Sequence, residues 1–333
     1  MGIDRLLAEL RQDPKFIRNV TAWRTLPAQS AAGARWPVDL APRLVSTAQQ
    51  LGIHAPYTHQ ARATEAAMQS RNVVLATGTA SGKTLGYVLP MLNAMLRDPT
   101  ATALLLFPTK ALAHDQVTTL EQWITTLGDD IALAAYDGDT PQSHRRDIRQ
   151  KARLVISNPD MLHLGILPHH TQWMRFFSNL RVVVVDEIHT YRGIFGSHVA
   201  NVLRRLRRIA HFYGADPTCI AASATIANPQ GLAEALWGDP VLPVEEDGAP
   251  YGKRHVLFYN PPLLNPTLGL RASASGQAVS LALRLLKAHI QTIIFARSRL
   301  TVEMLLHQIR ERAAHRGYPP EAIQGYRGGY LPR

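Results

Sequence analysis

Residues 72–90 read NVVLATGTASGKTLGYVLP: a β-branched strand, a run of small residues, and the start of an apolar helix. No other feature of the chain restricts the fold as much. A loop of small residues lets successive backbone N–H groups converge on an anion, and the helix that follows adds the partial positive charge of its N-terminus. Such a loop works at the carboxyl edge of a parallel sheet. The rest of the chain repeats the pattern. From about residue 51, short apolar runs alternate with longer amphipathic ones, and the expected strands are Asn72–Ala76, Ala103–Phe107, Ile131–Tyr136, Leu154–Ser157, Arg181–Val185 and Thr218–Ala222. Helical stretches such as Lys83–Arg97 and Ser197–Tyr213 lie between them. Strand, helix, strand at this spacing predicts an α/β fold with a parallel sheet covered on both faces.

The small-residue loop assigns roles to its members. Thr79, Ala80, Ser81 and Gly82 would cradle phosphate oxygens, Lys83 would reach the β- and γ-phosphates, and the Thr84 hydroxyl would reach Mg²⁺. The strict pattern requires glycine at position 77, where this chain has Thr77. About a hundred residues later, RVVVVDEIH delivers two adjacent carboxylates from the end of a buried strand. Asp186 can hold the metal, and Glu187 can orient and deprotonate an attacking water.

Further motifs follow in order. Lys83-Thr84, the DEIH box at Asp186–His189 and Ser223-Ala224-Thr225 together resemble superfamily 2 helicases of the DEAD/DEAH-box type. The likeness extends to YTHQ at Tyr57–Gln60, PTKALAHDQ at Pro108–Gln116, YDGDTP at Tyr136–Pro141 and SNPDMLH at Ser157–His163. It continues through DEIHTYRGIFGSHVANVLRRL, SATIANP, IIFARSR at Ile293–Arg299 and YRGGYLP at Tyr326–Pro332. This set is similar to the mitomycin-repair-factor-type DNA helicases, over roughly residues 50–333.

The resemblance implies two RecA-like lobes, a P-loop nucleotide site using ATP and Mg²⁺, and ATP-dependent movement on DNA with 3′-to-5′ polarity in DNA repair. It implies that Gln60 reads the adenine edge, with Tyr57 nearby. Ser223 and Thr225 would couple nucleotide state to strand movement through hydroxyl contacts to the acid box, and His189 would bridge the lobes. The strand-tracking surface would come from Pro108, Thr109 and Lys110, from Asp137, Gly138, Asp139 and Thr140, and from Ser157, Asn158, Pro159 and Asp160. These loops end neighbouring strands and can bind phosphates through N–H groups and hydroxyls. Arg297 and Arg299 would be added by the second lobe. RNA remains an alternative partner, because phosphate tracking is largely blind to the sugar.

The expected organisation is a helical and irregular lead-in over 1–50, an ATP-binding lobe over 51–245, a Pro-, Gly- and Asn-rich connection over 246–272, and a partial second lobe over 273–333. In that last segment a helix near Gln277–His289, a strand Thr292–Ala296 and a helix Leu300–Ala314 are expected. Charge divides unevenly along the chain. The net is +11, yet from Tyr251 onward there are 12 Lys and Arg against only Glu303, Glu311 and Glu321. A basic segment joined to a nearly neutral one suits a polyanionic partner. The cluster Arg204, Arg205, Arg207, Arg208 lies opposite the apolar stripe of its own helix and reads as a solvated face. Cys219 is the single cysteine and reads as core, which excludes an internal disulfide. No apolar run approaches the roughly 20 residues that span a bilayer, and the start of the chain lacks an export signal, so a cytoplasmic location is expected.

Relatives of this type carry a complete second lobe, whose later arginines reach the γ-phosphate, and a metal-binding cysteine cluster. The present sequence stops at YRGGYLPR, before either. The expectation is therefore that this polypeptide binds ATP and nucleic acid but hydrolyses slowly, or acts as a non-catalytic binding fragment.

Overall fold

A computed structural model of the chain describes residues 2–326. The strands relevant here are β1 (Val20–Leu26), β2 (Val73–Leu75), β3 (Thr102–Leu106), β4 (Leu133–Ala135), β5 (Leu154–Ser157), β6 (Leu180–Val185), β7 (Thr218–Ala222), β8 (Leu242–Val244) and β9 (Arg254–Tyr259). They fall into two compact units, one formed by residues 29–251 and the other by the described residues before 29 together with those after 251.

The first unit is built on a seven-stranded sheet in the order β4-β5-β3-β6-β7-β2-β8. Every neighbouring pair in it is parallel. The strands β2, β3, β5 and β7 are buried along their whole length. This explains why their sequences are continuously apolar and do not alternate: both faces are covered, so no side chain can point to water. One face carries the helices Pro42–Gln50, Thr58–Met68, Lys83–Arg97 and Lys110–Leu127 around Leu44, Tyr87, Leu89 and Trp123. The other is covered by the helices Met174–Ser178, Gly193–Phe212 and Pro229–Trp237, around Phe176, Phe177, Leu203 and Trp237.

The helix Lys83–Arg97 carries an internal Pro90. The ring of a helical proline crowds the carbonyl of the residue four positions earlier, which here is Gly86. A Cβ on Gly86 would lie 2.8 Å from a Leu75 methyl, so the helix also sits unusually close to β2.

The second unit divides differently from the expected boundaries. The lead-in does not stand apart: β1 pairs antiparallel with β9, from Val20↔Tyr259 to Leu26↔Arg254. That pairing converts part of the expected connection into a strand. Leu6, Leu10 and Phe16 pack with Ala288 in one small core, and Val279, Leu283, Leu305 and Ile309 form another. The helices Ala274–Lys287 and Arg299–Ala314 appear where expected.

The strand Thr292–Ala296 does not form; the segment is irregular, with Ile293 76% and Phe295 91% exposed. A strand forms only when a neighbour takes its N–H and C=O groups, and among the described residues none pairs with it. The motif that begins at Tyr326 lies, beyond that residue, outside the described residues. No helix among the described residues is long and apolar enough to cross a membrane.

Candidate functional site

The loops at the carboxyl edge of the sheet form two neighbouring groups. After β2, β7 and β6, which are consecutive in the sheet, come the small-residue loop, Ser223–Thr225 and the acid box. After β4, β5 and β3, also consecutive, come the three loops expected to track a strand.

In the first group, Gly82 caps the helix Lys83–Arg97 in the left-handed region at φ +76°. Ala80 is also left-handed, at φ +61°. A side chain there costs about 1–2 kcal/mol, a strain kept only where the surroundings over-determine it. Thr77, the departure from the strict glycine pattern, is buried, and its hydroxyl meets the Ser81 hydroxyl at 2.6 Å. The half-buried Lys83 donates from Nζ to the carbonyls of Gly78 at 2.9 Å and Thr77 at 3.2 Å. Gln60 is buried; its Oε1 accepts the Tyr57 N–H and its Nε2 donates to the Gly82 carbonyl, both at 2.8 Å.

The acid box faces this loop. Burial raises the pKa of the Asp186 carboxyl, and the adjacent Glu187 charge adds to the rise; the Glu187 N–H, the Tyr87 hydroxyl and nearby Lys83 act against it. Glu187 is itself left-handed at φ +52°. His189 Nδ1 lies 3.0 Å from Glu187 Oε2 and 3.4 Å from the Ala224 N–H. One ring nitrogen cannot both donate to the carboxylate and accept from the amide. The amide contact is the one with hydrogen-bond geometry, the Ala224 N–H donating to Nδ1, while Glu187 Oε2 is an ion-pair contact of the same ring.

The expected hydroxyl contacts of Ser223 and Thr225 are not made. Ser223 Oγ is fully buried without a hydrogen-bond partner among the described residues, and Thr225 is exposed. The third strand end therefore meets the acid box through His189 and the backbone.

Sequence reasoning overlooked Tyr87. It is fully buried and its hydroxyl lies 3.1 Å from Gln116 Oε1, 3.3 Å from Asp186 Oδ2 and 3.4 Å from Thr84 Oγ1. Burial pushes its pKa well up, so it stays protonated. It stands at the meeting point of the start of the helix after the small-residue loop, the acid box and the helix after Thr109. The available signal was a phenol on the otherwise apolar face of the helix Lys83–Arg97.

In the second group the loops are joined to one another. Ser157 Oγ donates to the Tyr136 carbonyl at 2.6 Å, and the Phe107 N–H donates to the Ser157 carbonyl at 3.0 Å. Lys110 Nζ pairs with Asp139 Oδ2 at 2.7 Å. The bond to Asp139 holds the Lys110 pKa above its usual value and that of Asp139 below.

Most of the other side chains here serve the loops themselves. Thr109 Oγ1 and Asn158 Oδ1 cap their helices, accepting from Leu112 and Met161. Asp137 Oδ1 accepts the N–H groups of Asp139 and Thr140 at 2.8 and 3.1 Å. Pro159 is buried, whereas Asp160 and Gly138 are exposed. Pro108 is half-buried. The exposed Arg297 and Arg299 belong to the other unit.

Residues 57–232 match the DEAD/DEAH box helicase family. The chain belongs to this family. Its sheet is the RecA-like helicase core, with the small-residue loop and the acid box facing each other across one strand. The chain is 48% identical over 98% of its length to the "Uncharacterized ATP-dependent helicase YprA" of Bacillus subtilis (strain 168), of which it covers 44%. It is 34% identical, again over 98% of its length, to "ATP-dependent helicase HRQ1" of Saccharomyces cerevisiae, of which it covers 31%. The crystal structure of the DUF1998 helicase MrfA bound to DNA superposes with a TM-score of 0.94 at 46% identity, covering 100% of this chain and 46% of that one. The same figures hold for MrfA bound to DNA and AMPPNP. The chain thus spans less than half the length of these relatives.

Proposed function

We propose that the chain carries the nucleotide site and part of the strand-binding surface of an ATP-dependent DNA helicase or translocase, acting in DNA repair. The observation that carries this reading is the sequence of strand ends β2, β7, β6, which sets a lysine-bearing phosphate loop opposite two acidic residues. The residues fit ATP with Mg²⁺. Two adjacent carboxylates, Asp186 and Glu187, end the strand next to the one that carries Ser223, whose buried hydroxyl has no hydrogen-bond partner among the described residues, a donor set that suits a hydrated cation.

Bound ATP with Mg²⁺ supplies the phosphoryl group to be transferred. Lys83 would hold phosphate oxygens, giving up its bonds to the Thr77 and Gly78 carbonyls, while Thr79, Ala80, Ser81, Gly82 and Thr84 contribute loop N–H groups. Thr84 and Asp186 would hold the cation. Glu187 would take a proton at its carboxylate, with His189 beside it, and Tyr87 would keep Asp186 facing the loop. Gln60 already uses one lone pair and one N–H; an amide has a second of each, which suffices for an adenine edge. Ser223 and Thr225 would report occupancy to the strand surface.

On the strand side, Lys110 and exposed backbone N–H groups of the three loops would grip phosphates, with Arg297 and Arg299 adding to them. The DNA in the MrfA crystal structures supports DNA as the partner over RNA. The test is nucleotide binding and strand-stimulated hydrolysis, with Lys83→Ala beside the wild type and with matched DNA and RNA strands as competitors. Binding that Lys83→Ala abolishes, and that DNA enhances more than RNA, is expected. Failure of the wild type to bind ATP overturns the reading.

A further inference from the structure

His59 stands between the two motif residues Tyr57 and Gln60 and is 1% exposed. Its Nδ1 accepts the Gly248 N–H at 3.1 Å, so the ring proton sits on Nε2, which donates to the Ser81 carbonyl at 3.1 Å. Burial lowers its pKa, opposed by the Asp247 carboxylate and the Ser81 carbonyl and assisted by the Lys83 charge, and keeps the ring in the neutral form that these bonds require. Beside Gly248, Asp247 Oδ2 accepts the Gly78 N–H and Oδ1 accepts the Ala249 N–H, both at 2.9 Å. The loop is therefore held at two points on either side of the strained Ala80: at Gly78 by Asp247 directly, and at Ser81 through His59, which Gly248 holds.

The fit is tight on both sides. A Cβ on Gly78 would lie 2.6 Å from the Tyr251 hydroxyl and 2.9 Å from Asp247 Oδ2. One on Gly248 would overlap the Thr58 hydroxyl and lie 2.9 Å from the Ala32 carbonyl. The clamp is anchored in turn. Gln29 and Tyr251 exchange two backbone hydrogen bonds of 2.9 Å, the Gln29 amide donates to the Asp247 carbonyl at 2.7 Å, and the Ala32 N–H donates to the Gly248 carbonyl at 2.9 Å. Gln29 and Tyr251 are the first and last residues of this unit, so both places where the chain leaves it are tied to the segment that holds the loop.

We propose that His59 and Asp247 are positioning residues for the nucleotide, which fix the phosphate loop and transmit its occupancy to the paired segments at Gln29 and Tyr251. The proposal rests on the nucleotide reading of the loop. A loop with a left-handed alanine relaxes when its restraints are removed, and the cost of ordering it again is taken from binding. Neither residue touches the reacting atoms in this scheme.

The test compares the wild type with Lys83→Ala, His59→Ala, His59→Gln, Asp247→Ala and Asp247→Asn, using a fluorescent ATP analogue for affinity. Amide hydrogen exchange is followed with and without AMPPNP in peptides covering 27–33 and 245–252. His59→Ala and Asp247→Ala are expected to weaken the analogue by about tenfold, the loss of one hydrogen bond to a well-placed group. Asp247→Asn, which keeps one acceptor, and His59→Gln, which keeps an N–H donor and much of the volume, should fall between. Slower exchange on nucleotide binding is expected in both wild-type peptides and should be lost in the alanine variants, even at saturating nucleotide. A merely structural role would not move that second readout. Should an alanine variant fail to fold, its conservative partner carries the same comparison. Alanine variants that bind like wild type and keep the nucleotide-dependent protection overturn the clamp, provided Lys83→Ala abolishes binding. No binding by the wild type overturns the nucleotide reading as well.

Discussion

The two halves of one sheet edge are built on opposite plans. At β2, β7 and β6, side chains converge and are constrained: Tyr87 reaches Asp186, His189 meets both Glu187 and the Ala224 N–H, Lys83 is tied to its own loop, and two non-glycine residues, Ala80 and Glu187, hold left-handed backbone. At β4, β5 and β3 most polar side chains turn inward, Thr109, Asp137 and Asn158 on their own loops and Ser157 on the neighbouring one, leaving mainly backbone and Lys110 facing outward. The difference follows from the tasks proposed for each half. Phosphoryl transfer needs charges fixed in advance at defined points. Holding a strand of any sequence needs phosphate contacts that carry no side-chain code.

The sharpest way to break this comparison is Glu187→Gln. If the first half is catalytic, turnover should fall by about 10²–10⁴, the scale of a lost general base, with nucleotide affinity within a few-fold of wild type. Single-turnover hydrolysis measures it, and unchanged turnover would place the base elsewhere. Lys110→Ala should act in the other half alone. Its loss leaves Asp139 without its cation, so single-strand affinity should drop by roughly tenfold, and the slope of log K against log salt should shrink by about 0.7. Nucleotide affinity should stay put.

Ser157→Ala tests the claim that motif residues in the second half serve architecture. The Tyr136 carbonyl loses its donor, which should cost about 1 kcal/mol and lower the melting temperature by about 2–4 °C. An equal loss of strand affinity without loss of stability would instead make Ser157 a direct contact. The smallest effect expected is on pH dependence. His59 has a folded pKa below its unfolded value of about 6.5, so its contribution to stability is complete above that value and is lost as pH falls below it toward the folded pKa. Asp247 and Lys83 are the charged groups nearest the ring. The wild-type melting temperature should fall more between pH 7 and pH 5 than that of His59→Gln.

The elements that could be read from the chain share one property: their identity follows from local burial. The helix Lys83–Arg97 and the strands Leu154–Ser157 and Thr218–Ala222 match their expected ends to the residue. A strand buried on both faces is apolar throughout, and small or polar residues mark where it stops. The β1–β9 pair escaped because its register joins residues more than 220 positions apart, which no periodicity reports. The strand expected at Thr292–Ala296 shows the converse. Its composition is right, but strand formation depends on a neighbour, and none among the described residues provides one.

The candidate site divides along the same line. That Lys83, Thr84, Asp186 and Glu187 share one edge was legible, because they follow apolar strands whose alternation with helices already placed those ends on one side of the sheet. Tyr87, His59 and Asp247 were not legible. A phenol on an apolar face, a histidine before a glutamine and an acid in a Pro- and Gly-rich segment have no pattern of their own. Their roles come from burial and from partners distant in the chain: Asp186 for Tyr87, Gly248 for His59, and Gly78 for Asp247. The sequence by itself indicated six of the seven strands of the sheet and the candidate residues at their ends, since burial and residue type are set locally, but not β8. The tertiary structure alone decided which buried groups hold those loops in place, because a hydrogen bond between distant segments exists only after the chain has packed.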